Sequence, residues 1–84
     1  MNYKLNYIQW MDHCSHTESN WRSVTEAAEL GPITCHTVGY ILHEDDDCVV
    51  LGQTIHSHDE LDDKYAGDMC ILKPLIKTRK ELKY

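Results

Sequence analysis

The stretch ITCHTVGYILHEDDDCVVLGQTIHS, residues 33–57, constrains the fold more than any other part of the chain. Apolar and polar residues alternate along both of its halves, and four consecutive acids, Glu44 to Asp47, divide them. Successive side chains of a strand point to opposite faces, so a period of two marks a half-buried strand. The pattern predicts a hairpin with strands Ile33–His43 and Cys48–Ser57 around the turn Glu44–Asp47. Val38, Tyr40 and Leu42 alternate with Thr37, Gly39 and Ile41; Val49, Leu51 and Ile55 alternate with Val50, Gly52 and Thr54. Gly39 and Gly52 fall in mid-strand, where glycine marks a bend or a close backbone approach. Long strands bent at glycine are how a small sheet closes into a barrel.

Shorter elements surround the hairpin. Lys4–Met11 reads as the first strand, with Asn6, Ile8 and Trp10 on one face and Leu5, Tyr7, Gln9 and Met11 on the other. Residues 12–20 form a polar loop. Ser23 and Glu26 then match a capping box, in which the serine oxygen and the glutamate satisfy each other's orphan N–H groups. Gly31 and Pro32 stop the helix that this box opens. It has about two turns and must dock through Val24, Ala27 and Leu30, since so short a helix does not stand alone. His58–Asp68 reads as an exposed charged loop, Met69–Leu72 and Leu75–Lys77 as two short strands, and Thr78–Tyr84 as a basic tail that frays or adds a helical turn. The expected fold is mainly β: one small domain spanning residues 1–84, an SH3-like or Sm-like five-stranded barrel with one short α-helix between strands 1 and 2.

Eighty-four residues bury little surface, and domains of this size need reinforcement by disulfides, a metal or oligomerisation. Cys14, Cys35, Cys48 and Cys70 are widely spaced and include no C-x-x-C pair. No apolar run resembles a signal peptide or reaches membrane-spanning length. Free thiols in a cytoplasmic setting are therefore expected, with self-association as the reinforcement. The formal charge of −6 is the wrong sign for a polyanion-binding surface, which argues against bulk DNA or RNA binding.

The order of elements, together with particular motifs, resembles a group of small proteins encoded by tailed phages and prophages. The residues that carry the resemblance are WMD (Trp10–Asp12), Trp21 after the loop, SVTEAAEL, and PITCHTVGYILHEDDDCVVL (Pro32–Leu51). They match that group's tryptophan-x-aspartate, Pro-x-x-Cys, Val-Gly-aromatic and acidic-turn features over roughly residues 6–77. The chain departs near its end, where ILKPLIK shifts the proline and leaves the register of the last two strands open. The resemblance implies a small barrel, a phage origin and a host-cell cytoplasmic location, and it carries no activity.

Candidate chemistry is sparse. Asp12, His13, Cys14 and His16 crowd one loop, and Cys14 with His16 could share a metal with Cys35 or His36. The spacing fits no standard zinc module, and Cys35 and His36 point to opposite strand faces. A nucleophilic Cys14 would lack an oxyanion hole. The acidic turn lacks the glycine and distal glutamate of a calcium loop. No catalytic residue, metal or cofactor is assigned. Phenylalanine is absent, so every aromatic ring carries a polar handle suited to a half-wet platform. Trp10, Trp21 and Tyr40 are candidate stacking surfaces; the plainer alternative is that Trp10 and Tyr40 fill the barrel and Trp21 plugs it. Arg22 is the candidate anion contact, Asp12 a candidate polar contact, and Lys64 with Tyr65 a candidate lid.

The expected function is non-enzymatic binding, as a phage-encoded counter-defence protein that sequesters a small nucleotide-like signal of the host. The alternative is an acidic protein-protein inhibitor that mimics nucleic acid on a basic groove of a host protein.

Overall fold

The structure is a computed structural model and describes residues 3–13, 21–57 and 62–83. Five antiparallel strands make one sheet: β1 (Leu5–Asp12), β2 (Ile33–Glu44), β3 (Cys48–His56), β4 (Lys64–Leu72) and β5 (Ile76–Leu82), in the order β4-β3-β2-β1-β5. The expected hairpin is present as β2 and β3.

Strand β2 serves two partners in succession. Residues 33–40 pair with β1, whereas Tyr40, Ile41, His43 and Glu44 pair with β3. Tyr40 is the handover point, since it lies opposite both Leu5 and Gly52. A register shift between Ile41 and His43 adds a bend just beyond it. Gly39 is buried beside this corner, and a Cβ there would stand 3.2 Å from the carbonyl oxygen of Gly52. The strands approach closely enough there that a side chain would be crowded.

The bend folds the sheet onto itself. Laid flat, the edge strands β4 and β5 would be separated by four strand spacings, or about 19 Å. Yet Leu72 and Ile76 are joined by only Lys73–Leu75, a 3-10 turn that rises about 6 Å. The sheet therefore curls until its two ends nearly meet. Its inner face collects the core: Ile8, Val49, Leu51 and Ile71, flanked by Trp10, Ile41 and Ile76. These residues occupy same-face register positions on all five strands, as alternation demands. Among the described residues β4 and β5 are not paired with each other, so the sheet does not close into a barrel.

Polar contacts hold the ends together. Arg79 on β5 donates from Nε to Asn6 Oδ1, 2.9 Å away, and grips the carboxylate of Glu44 at the end of β2. Lys73 reaches the same carboxylate at 3.0 Å, and its backbone N–H donates to Asp47 O. Asn6 is the one buried polar residue among those described, and this bond satisfies it.

Several expectations need correction. The helix between strands 1 and 2 is a 3-10 segment, Val24–Glu29, with no buried residue. Ser23 does cap it, accepting from the Glu26 N–H. Val24 is 92% exposed and Leu30 43%, so the apolar stripe expected to dock stays open to solvent. Without tertiary packing, two turns cannot repay the cost of helix nucleation. The segment expected as a loop, His58–Asp68, contributes Lys64–Asp68 to β4; residues 58–61 lie outside those described. The tail is likewise a strand: β5 runs to Leu82, paired as far as Leu5. Lysine, arginine and glutamate have low strand propensity, but on an edge strand their side chains reach water and discourage further pairing.

Candidate functional site

The clearest concavity follows from the handover at Tyr40. Beyond that residue β3 continues with β4 alone, through the pairs Thr54–Ala66, Ile55–Tyr65 and His56–Lys64. On the other side the first half of β2 continues with β1 alone. The two strand pairs diverge, and a fork opens between them. A groove of about 160 Å³ lies in this fork, lined by Thr37, Val38 and Gly39 from β2, Leu51 to Gln53 from β3, and Gly67 to Met69 from β4.

Three glycines line it. Gly67 has φ +71°, a conformation L-residues rarely adopt, and a Cβ there would press against the Gln53 side chain. A Cβ at Gly39 would meet Gly52 O and Leu51, whereas one at Gly52 would meet Leu42, outside the lining. Thr37 links the groove to the core: its hydroxyl accepts from Trp10 Nε1 at 2.9 Å and lies 3.8 Å from Met69 Sδ. Val38 and Met69 stand exposed at the rim. The lining is apolar with a few hydrogen-bonding groups, namely Thr37, Gln53 and Asp68, and it includes no lysine, arginine or histidine. An anion would find no cationic side chain there; a neutral or basic group would find an acid.

The residues singled out from sequence do not converge. Trp10 is half-buried against the core, with its indole N–H turned to Thr37 beneath the groove. Asp12 ends β1 opposite Ile33, its carboxylate 3.6 Å from His13 Nδ1. Trp21 is fully exposed rather than a plug, and Arg22 beside it is exposed. Tyr40 takes the face opposite the core, since it alternates with the buried Gly39. Lys64 and Tyr65 are paired within β4 and form no lid. The groove residues Gly39 and Gly52 drew notice only as bends. Gln53, Gly67 and Met69 went unnoticed, since nothing local says that the strand pairs part there.

Elsewhere the side chains serve the fold. Asp45 accepts from the backbone N–H groups of Asp47 and Cys48, at 2.8 and 2.9 Å, and His43 Nε2 lies 3.0 Å from its other oxygen. These contacts hold the Asp45 carboxyl well below the usual range, the His43 contact contributing most. The acidic turn is thus an Asx-type turn closed on itself. His36 stacks on Tyr7 across β1 and β2, with the rings 5.9 Å apart. Cys35 turns away toward Ile33 O. Cys14 and His16 lie outside the described residues. Among those described, no three histidine, cysteine or acidic side chains are gathered round a point that could hold a metal ion, and no helix is long and apolar enough to cross a membrane. No protein-family model, curated protein or solved structure matches the chain.

Proposed function

We propose that this chain is a non-enzymatic binding module that takes an extended, neutral-to-basic protein segment into the fork between β2 and β3. The observation that carries the reading is the groove itself: a glycine-lined slot, apolar at the rim, bounded by strand edges and carrying Asp68 but no cation. Extended segments bind strand edges through main-chain hydrogen bonds and gain specificity from side-chain pockets. A slot of about 160 Å³ suits one side chain; small-molecule sites are typically about 300 Å³ or more. This favours the acidic protein-binding alternative over capture of a nucleotide-like signal, whose phosphates would find no cationic side chain in the lining and would face Asp68. The net charge of −6 agrees, since it steers basic partners inward. The phage resemblance supplies a setting, in which the partner is a protein of the host cytoplasm. The SH3-like or Sm-like comparison remains part of the proposal: β2 shared between two strand pairs, with a 3-10 turn before the last strand, is what that architecture requires short of closure.

Photo-crosslinking tests the reading. A photoreactive residue at Val38 or Met69 should capture a partner from extract of the expressing cell, and the same residue at Thr78 on β5 should not. Capture should fall as salt rises. Equal capture from both places, or none from the groove, overturns it. Native mass spectrometry of the same samples shows whether the captured chain is a second copy.

A further inference from the structure

A second cluster lies on the face opposite the core, at the hairpin end of β3. Cys48 pairs with Leu72 and Val50 with Cys70, so Cys48 and Cys70 are diagonal neighbours on one face of adjacent strands. Cys48 Sγ also points at Asp45 Oδ2, 3.9 Å away, and His43 Nε2 touches that same oxygen. His43 lies opposite Val50 and therefore shares the face. One sulfur, the carboxylate and the imidazole thus form a string of contacts at the surface, with the second sulfur diagonal to the first; Cys70 is exposed and Cys48 half-buried.

Two thiols this close have two ordinary fates. A disulfide needs Cα atoms within about 6.8 Å. Diagonal neighbours stand about 7–8 Å apart, so the bond would require the strands to move. A metal bridge is longer. With two metal–sulfur bonds of about 2.3 Å, the sulfurs can stand more than 4 Å apart, which suits a diagonal pair.

We infer that Cys48 and Cys70 form a two-sulfur site for a thiophilic metal cation, with Asp45 supplying negative potential and His43 within reach as a further donor. Among the described residues no third donor is yet in ligating position. The site therefore favours soft ions that are content with few thiolate ligands, the copper(I) class, over ions that demand a full tetrahedral shell.

Copper(I), presented to the reduced full chain through a chromophoric copper(I) chelator, tests this. The wild-type chain should withdraw one equivalent per chain and protect two thiols from alkylation. Cys70→Ser should lose that equivalent and at least tenfold in affinity, as should Cys48→Ser. Cys35→Ser and Cys14→Ser should retain it. Unfolding curves of the apo variants show that each is folded. Zinc and cobalt(II) are the second arm, and weak or absent thiolate–cobalt absorption is expected. No copper withdrawn, or the same amount withdrawn by Cys70→Ser and wild type, overturns the inference.

Discussion

The guanidinium of Arg79 holds the carboxylate of Glu44 with two hydrogen bonds, 2.9 Å from Nη1 and 2.6 Å from Nη2. Thirty-five residues separate them, and they join the last strand to the end of β2 across the open side of the curled sheet. Lys73 adds a third contact from the 3-10 turn, and Arg79 Nε satisfies the buried Asn6. The cluster performs the closure that strand pairing leaves undone.

Stability should therefore depend on this carboxylate in a particular pH window. Arg79 first, then Lys73, lower the Glu44 pKa to about 2, from 4.5 in the unfolded chain. A depressed carboxyl contributes stability that is present in full above the unfolded value and lost as pH falls through the folded one. Urea unfolding of wild type and Glu44→Gln should differ by about 1 kcal/mol at neutral pH, given that the pair is half-exposed. The difference should shrink between pH 4.5 and about 2. A difference that does not change across that window would remove Glu44 as the latch.

The three groove and corner glycines should respond differently to alanine. At Gly39 the new methyl meets backbone, Gly52 O at 3.2 Å, which cannot step aside; a loss of about 1–3 kcal/mol is expected. At Gly67 the cost is the left-handed conformation itself, about 1–2 kcal/mol. At Gly52 the obstruction is the tip of Leu42, 2.7 Å away. Leu42→Ala should therefore rescue Gly52→Ala and leave Gly39→Ala unrescued. Denaturant midpoints of the singles and doubles decide it.

These residues also show what the sequence could say. Alternation in residues 33–57 fixes the β2–β3 hairpin, since period two is a local signal that survives in any tertiary setting. The faces of β1 were legible for the same reason. Strand β5 was not: IKTRKEL has poor strand propensity and is held by its pairing with β1, some seventy residues away. The helix was misread in the opposite sense. SVTEAAELGP carries correct caps, but caps mark where a helix could start and stop, and none of the segment's residues is buried against a surface that would sustain one. The groove was the least legible feature. It arises where β3 leaves β2, and that depends on the bend at residues 39–43 and on two pairings at once.

The two tryptophans should be separable by spectroscopy. Trp21 is fully exposed, whereas Trp10 packs on the core and donates to Thr37. Trp21→Ala should leave stability within about 0.5 kcal/mol of wild type and remove the red-shifted, acrylamide-quenchable emission. Trp10→Ala should cost about 2–4 kcal/mol and remove the blue-shifted emission. The reverse assignment of the two emission bands would place Trp21 in the core.

The acidic turn offers a sharper contrast, because adjacent aspartates should behave as different residues. Asp45 accepts two backbone N–H groups and contacts His43, so Asp45→Ala strips the turn of its internal acceptors. Charge-assisted bonds of this kind are worth more than neutral ones, and a loss of about 1–2 kcal/mol is expected. Asp46 is exposed in the bend, and its removal relieves repulsion among four consecutive acids. Asp46→Ala should therefore be neutral or slightly stabilising. Lys73 N–H bonds to Asp47 O, so a loosened turn should also loosen the link to β5. Amide exchange should then quicken at Cys48 and Lys73 together in Asp45→Ala, and at neither in Asp46→Ala. Independent changes at those two amides would mean that the turn and the closing end of the sheet are not one mechanical unit.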